Sequence, residues 1–180
     1  MKIIFLDVDG VLNTSKTFER VYNVFKNTGK KELEIDYFRL EYLKTIINET
    51  EAKIVLSSTW RRFFEKVNNK IIPRNEKGKK FYDLLLDYEI EIYDILNNNF
   101  SDINREELIL NWLSKNDIES FVIIDDEPNL FKNLFDRLII TSRVNRNEIL
   151  TNMDDCFGLC EEHITIVKDM LKSKVKIKKQ

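Results

Sequence analysis

Short apolar runs alternate along this chain with longer stretches of helical periodicity. Residues 2–8 are rich in Ile, Phe and Leu, and this run contains an aspartate near its end and is followed closely by Gly10. An apolar run bounded by turn residues predicts a buried β-strand. Residues 53–56, 121–124 and 138–141 have the same character and are predicted to be further strands.

The stretches between these runs carry apolar residues every three or four positions, as amphipathic helices do. One stripe follows Asp36, which is suited to the N-cap position, and another follows Asn104. Residues 126–134 and 161–171 show the same spacing. Strands that alternate with helices favour an α/β fold: a doubly wound, Rossmann-like parallel sheet with helices on both faces.

Reactive polar residues stand at the ends of three predicted strands. Asp7 closes the first apolar run, Ser57 follows the second and Asp125 follows the third. In open parallel α/β sheets, functional residues lie beyond the carboxyl ends of the strands, at the point where the strand order reverses. The sequence therefore predicts one functional site at this edge of the sheet.

The Asp7-Val8-Asp9-Gly10 segment holds two carboxylates that point the same way if the backbone is extended. One carboxylate can attack phosphorus to form an aspartyl-phosphate. The other can protonate the leaving oxygen and later activate water. Asp and Gly are also ordinary turn residues, so the segment by itself is equally typical of an acidic loop.

The Asp125-Asp126 pair supplies a second set of carboxylate oxygens. Acids from two strands can hold a hard cation such as Mg²⁺, which neutralises both the carboxylates and an incoming phosphate. Ser57 adds a neutral hydrogen-bond donor for a phosphate oxygen. Arg105 adds a positive charge of the kind that stabilises a transferring phosphoryl group.

Four motifs follow one another along the chain: FLDVDGVLN near residue 7, IVLSSTWR near residue 57, an arginine at position 105, and VIIDDEPNL near residue 125. In this order they resemble the haloacid dehalogenase-like (HAD) superfamily. More narrowly, they are similar to the small HAD phosphatase domains associated with RNA-repair proteins, which carry a similar S-S-x-W-R stretch. The resemblance covers roughly residues 2–140. It implies phosphoryl chemistry, because dehalogenase members of the superfamily lack an acid at the position of Asp9.

The resemblance also implies a role for each acid. Asp7 would be the nucleophile, and Asp9 the general acid and base. The Mg²⁺ site would comprise Asp7, Asp9 through its backbone carbonyl, Asp126 as a direct ligand and Asp125 as a second ligand or near neighbour.

By the same resemblance, Ser57 would bind the phosphoryl group, with Ser58 as the alternative if the strand register differs by one residue. Arg105 stands where a lysine is more common, and it is expected to contact the substrate. Two lysines are alternatives to it: Lys115 and Lys132. Arg61, in the S-S-x-W-R stretch, is also expected to bind substrate.

Composition narrows the class of protein. The 180 residues, with a net charge of -2, predict a single domain. The resemblance implies that this is a HAD-like domain over residues 1–172, with a small basic insert around 61–80, followed by a lysine-rich tail at 173–180. The four glycines are too widely spaced for the glycine-rich loops that bind dinucleotides or nucleoside triphosphates. Two cysteines and one histidine do not complete a zinc site. With no long apolar run and no signal peptide, we expect a cytoplasmic protein without a membrane partner.

The basic segment, residues 61–80, has two open interpretations. Lysines and arginines interleave there with Phe63 and Phe64, and Phe81 and Tyr82 follow directly. This pattern is typical of a surface that binds nucleic-acid phosphates and stacks bases. It is equally typical of a solvated basic loop whose aromatic residues belong to the core.

The segments in which such phosphatases carry a cap domain, 13–35 and 61–103 here, are too short for an independent domain. An open site suits a phosphate at the end of a large substrate, so we expect a Mg²⁺-dependent phosphatase acting on a phosphorylated substrate, with nucleic-acid ends first. The alternatives are a nucleotidase, a phosphoprotein phosphatase, or a non-catalytic module that binds nucleic acid or protein on the same fold.

Overall fold

A parallel sheet forms the centre of the computed structural model, which describes residues 1–96, 104–142 and 158–175. In chain order, the strands of these residues are β1 (Lys2–Leu6), β2 (Lys53–Leu56), β3 (Phe64–Val67), β4 (Lys70–Pro73), β5 (Ile92–Ile95), β6 (Ser120–Asp125) and β7 (Leu138–Ile140). Five of them pair in parallel in the order β5-β2-β1-β6-β7, whereas β3 and β4 form an antiparallel hairpin. The order reverses at β1, which lies between β2 and β6.

Helices cover both faces of this sheet. In chain order, those of the described residues are α1 (Ser15–Thr28), α2 (Tyr37–Thr50), α3 (Glu76–Asp87), α4 (Arg105–Lys115) and α5 (Glu161–Lys172). Successive residues of a strand point to opposite faces. Ile4 and Leu6 of β1 accordingly pack in one core cluster with α2, α3 and α5, whereas Ile3 and Phe5 pack with α4 in another. The predicted doubly wound α/β fold is confirmed.

Asp36 lies at the N-cap position of α2, as predicted. Its carboxylate makes no capping hydrogen bond, however, and instead accepts one from Thr17 Oγ1 at 2.7 Å and one from Arg39 Nε at 3.1 Å. The residue therefore ties the start of α1 to the start of α2.

The helix predicted over residues 126–134 is wrong. A short 3₁₀ helix at Pro128–Leu130 and irregular backbone occupy this stretch. Several backbone N–H groups here donate to carboxylates and not along an α-helix: Glu127 N donates to Asp125 Oδ1, and Leu134 N donates to Glu106 Oε1. Side chains outside the stretch therefore satisfy some of its backbone donors and help to hold it as a loop.

The basic segment contains the β3–β4 hairpin and the first turns of α3. Phe64 and Phe81 are fully buried, so their rings belong to the core and are not available to stack nucleobases. Four lysines of the segment are paired with acids: Lys66 with Asp94, Lys77 with Glu34, Lys79 with Asp83 and Lys80 with Glu76. For these two rings the structure supports the core interpretation.

Neither cap position holds a separate domain in the described part of the chain. Residues 13–35 are mostly α1, and residues 61–96 form the hairpin, α3 and β5. The described helices are also all too short or too polar to cross a bilayer. Cys156 and the tail residues 176–180 lie outside the described residues.

Candidate active site

Three carboxylates converge where β1 and β6 end side by side. Asp7 directly follows β1, and its N–H donates to the carbonyl of Ile124 at 3.0 Å, which continues the pairing with β6. One carboxylate oxygen each from Asp7, Asp125 and Asp126 all lie within 4.8 Å of one another. Asp7 thus meets two acids that lie at least 118 positions later in the sequence, because β1 and β6 are neighbours. The polar residues at the strand ends predicted this meeting.

Arg105 joins two of these acids. Its Nη1 donates to Asp7 Oδ2 at 2.5 Å and also to Asp125 Oδ2. The residue starts α4, whose N-cap Asn104 accepts a hydrogen bond from Glu106 N, so the helix start holds the guanidinium at the acids. Lys115, one of the two alternatives, lies at the opposite end of this 11-residue helix, and both it and Lys132 are exposed.

Glu106, the second residue of α4, helps to fix the position of Arg105. Its buried carboxylate accepts hydrogen bonds from Asn133 N at 2.7 Å, Leu134 N at 2.8 Å and Asn133 Nδ2 at 3.1 Å. The start of α4 is thereby tied to the loop that follows Asp126. This link holds Arg105 in place relative to the two acids at the end of β6.

The site carries more negative than positive charge. Burial, together with the neighbouring charge of Asp7, raises the pKa of Asp125 to about 7, although Arg105 acts in the opposite direction. The same two causes raise the pKa of Asp126 to about 6. Burial lowers the pKa of Arg105, but the charges of Asp7 and Asp125 outweigh it and the net shift is upward. One guanidinium therefore does not compensate three carboxylates.

A divalent cation fits this donor set. Carboxylate oxygens are the ligands that Mg²⁺ prefers, and the excess negative charge is what such an ion neutralises. Asp7, Asp125 and Asp126 can hold it. The carboxylate of Asp9 is not part of this trio among the described residues, and its predicted contribution through the backbone carbonyl stays a prediction.

Asp9 is held by donors of its own. Trp60 Nε1 lies 3.0 Å from Oδ1 and 3.1 Å from Oδ2, and Asn13 Nδ2 donates to Oδ1 at 2.9 Å. Asn13 also donates to the carbonyl of Glu34 at 3.1 Å and accepts from Gly10 N at 3.0 Å. The sequence patterns did not predict a role for Asn13, although this residue lies four positions after Asp9.

The two serines after β2 differ in their hydroxyl partners. Ser57 N donates to the carbonyl of Leu6, and the residue is fully buried, yet its Oγ has no hydrogen-bond partner within the described structure. Ser58 Oγ accepts from Trp60 N at 3.2 Å and so caps the following 3₁₀ helix, Thr59–Phe63. A buried hydroxyl without a partner costs free energy. Ser57 is therefore the serine whose hydroxyl a phosphate oxygen would satisfy.

Arg61 braces this turn. It is 8% exposed, and its Nη1 donates at 2.9 Å to the carbonyls of both Ser57 and Ser58. Burial and the nearby charge of Arg105 lower its pKa, whereas Asp7 raises it, which shows that its charge is felt at the acid cluster. Its contact with a substrate stays a prediction.

Gly10 allows the two acidic loops to approach each other. Its φ is +72°, and a Cβ at this position would lie 2.2 Å from Asp126 Cγ. Thr141 Oγ1 donates to Gly10 O at 2.8 Å, and Ser142 Oγ donates to Asp126 O at 3.2 Å. The residues after β7 thus bind both loops. No local sequence pattern predicted these hydrogen bonds.

Two residues far from the acids lie at the start of α5. His163 is buried, and it caps α5: Cys160 N donates to its Nδ1 at 3.1 Å. Burial, followed by the effect of Glu162, raises the pKa of the Cys160 thiol to about 12. This cysteine is therefore a protonated capping residue and not a nucleophile.

Comparison with known proteins gives a family match. The model of the family described as "HAD domain in Swiss Army Knife RNA repair proteins" matches residues 3–146. Among curated proteins, the chain is similar to Reticulocyte-binding protein homolog 1 of Plasmodium falciparum (isolate 3D7), with 37% identity over 101 residues. That alignment covers 53% of this chain and 3% of the Plasmodium protein, so it carries no conclusion about function. No solved structure matches significantly.

Proposed function

Because this chain belongs to the family of HAD domains found in Swiss Army Knife RNA repair proteins, we propose that it is a Mg²⁺-dependent phosphatase with Asp7 as its nucleophile. The family supports a phosphatase-like role in general. The observation that carries the more specific proposal is the convergence of Asp7 with Asp125 and Asp126 at the ends of two adjacent strands, with Arg105 bound to two of the three acids.

The first chemical step transfers the phosphoryl group to the enzyme. A carboxylate oxygen of Asp7 forms a bond to phosphorus while the bond from phosphorus to the leaving oxygen breaks, and Asp9 gives its proton to that oxygen. Ser57 donates a hydrogen bond to the phosphoryl group. Arg105 stabilises the charge on its oxygens.

The second step releases phosphate. The Asp9 carboxylate takes a proton from water, the water oxygen bonds to phosphorus, and the bond to Asp7 breaks, which regenerates both acids. A Mg²⁺ ion held by Asp7, Asp125 and Asp126 would supply charge neutralisation for the phosphate throughout.

We further propose that the substrate is a phosphorylated nucleic-acid end. The family description refers to RNA repair proteins, and the open cap positions of the described chain leave room for a large substrate. The paired lysines and buried rings of the basic segment add no support to this choice.

A phosphate-release screen tests both levels of the proposal. It would compare an aryl phosphate, nucleotides, 3′- and 5′-phosphorylated oligonucleotides, sugar phosphates and phosphopeptides, each with Mg²⁺ and with a chelator. Asp7→Asn should abolish release, whereas the exposed Asp117→Asn should not change it. Full activity of Asp7→Asn would refute the nucleophile. Activity confined to sugar phosphates would refute the large substrate.

A further inference from the structure

Trp60 makes a hydrogen bond that packing alone does not require. Its Nε1 is shared between the two oxygens of Asp9, at 3.0 and 3.1 Å, so that the indole N–H points at the middle of the carboxylate. The second donor to this group, Asn13, reaches only Oδ1. The indole is therefore the contact that fixes how the plane of the Asp9 carboxylate is turned.

The indole itself is held firmly. Trp60 is 4% exposed, and its ring packs edge-on against Phe63 and Phe81, with centroids 5.7 and 5.0 Å away. The ammonium of Lys77 lies 4.3 Å from the ring centroid and is itself bound to Glu34 at 2.6 Å. Because the Trp60 indole is packed on its edge and its face, it cannot rotate to suit the Asp9 carboxylate. The orientation of the carboxylate therefore depends on the position of the indole.

The same short turn carries the donor expected to bind phosphate. Trp60 lies three positions after Ser57, and Ser58 Oγ caps the 3₁₀ helix by accepting from Trp60 N. Arg61, the next residue, braces the carbonyls of both serines. One rigid turn thus sets the distance between the Ser57 hydroxyl and the Asp9 carboxylate.

We propose that Trp60 is a positioning residue that aims the Asp9 carboxylate at the leaving oxygen of the substrate. This inference rests on the phosphatase function proposed above, in which Asp9 is the proton donor. Trp60 touches no reacting atom in this scheme. It acts through the orientation of Asp9. In the step that forms the bond to Asp7, its loss should therefore matter only as much as that step needs a proton on the leaving oxygen.

The choice of leaving group separates this role from a purely structural one. p-Nitrophenolate departs as a stable anion and needs little protonation, whereas an alkoxide must receive a proton as its bond to phosphorus breaks. General acid catalysis contributes about 10²–10⁴-fold to such a step. A misaligned acid therefore slows phosphoryl transfer from an alkyl phosphate to Asp7 much more than transfer from p-nitrophenyl phosphate. A general disturbance of the site slows both transfers equally.

The experiment compares Trp60→Phe with Trp112→Phe. Both substitutions keep an aromatic ring in a buried position and remove one indole N–H from an aspartate, because Trp112 Nε1 donates to Asp94 at 2.9 Å on the other face of the sheet. For each variant, kcat/KM is measured with p-nitrophenyl phosphate and with an alkyl phosphate such as glycerol phosphate or a 3′-phosphorylated oligonucleotide. This ratio does not include the later hydrolysis at Asp7, in which Asp9 acts on both substrates alike. Circular dichroism and thermal unfolding are recorded alongside to establish that the proteins are folded.

For Trp60→Phe we expect kcat/KM on the alkyl ester to fall at least about 10-fold more than kcat/KM on the aryl ester. For Trp112→Phe the two esters should be affected equally. Equal losses on both esters in Trp60→Phe, or no loss on either, would overturn the role of Trp60. If the wild-type protein releases phosphate with Mg²⁺ from neither ester nor any phosphorylated oligonucleotide, the phosphatase proposal itself fails, which is a different result.

Discussion

Replacement of Gly10 by alanine tests whether the contact between the two acidic loops shapes the active site. A non-glycine residue at the observed φ of +72° costs roughly 1–2 kcal/mol in folding free energy. The new Cβ would also lie 2.2 Å from Asp126 Cγ, about 1.2 Å inside ordinary van der Waals contact. Asp126 must therefore move by about 1 Å, and misplacement of that size can cost about 10²-fold in rate.

We accordingly expect Gly10→Ala to lose about 100-fold in Mg²⁺-dependent aryl phosphate hydrolysis, measured at saturating metal and at a temperature where the variant is folded. Gly29→Ala is the matched control, because Gly29 has a φ of +71° but no described atom beyond its chain neighbours lies within 4 Å of the place that a Cβ would take. It should lose roughly 1–2 kcal/mol of stability and no activity. If both variants kept the same rate, the contact with Asp126 would have no part in catalysis.

Three further results are expected. Arg105→Met should lower phosphate release about 10²–10³-fold, as loss of a charge-stabilising donor does, whereas Lys115→Met should leave it unchanged; equal losses would contradict the assignment. Because the pKa values of Asp125 and Asp126 are raised to about 7 and about 6 from 3.8, the folded state binds protons more tightly than the unfolded state. The metal-free free energy of unfolding, measured with urea, should therefore fall between about pH 4 and pH 7 and recover with Mg²⁺ at pH 8; a rise with pH would refute this. Glu106→Ala should cost about 1–3 kcal/mol, since two backbone N–H groups lose their acceptor, and a loss near zero would mean that water replaces it.

The elements closest to the acids were readable from the sequence. Apolar runs predicted β1, β2, β6 and β7, and the polar residues after them predicted where the site lies. This succeeds because a parallel strand that helices cover on both faces is buried and must be largely apolar along its length. The position where it stops is then visible as the first acid or serine, such as Asp7 or Ser57.

Elements with less burial were missed for physical reasons. The aromatic residues of α1 stay exposed, with Phe18 at 45% and Tyr22 at 63%, so this helix has no clear buried stripe. The β3–β4 hairpin turns at Asn68 and Asn69, both with positive φ as tight hairpin turns require, but the charge around them suggested a loop. Local patterns also do not reveal that Trp60 would contact Asp9, because that contact joins positions 51 apart.

The central place of β1 has a consequence for how the protein is made. Its residues leave the ribosome before any of their partners, and β2 follows only after residue 53. β6, the other neighbour of β1, follows only after residue 120. At synthesis rates of about 5–20 residues per second, the apolar edge of β1 waits about 6–24 s for β6. Throughout that interval the nascent chain has Asp7 but neither Asp125 nor Asp126, so it cannot assemble the acid cluster. Unpaired strand edges are prone to aggregation as long as their partners are missing.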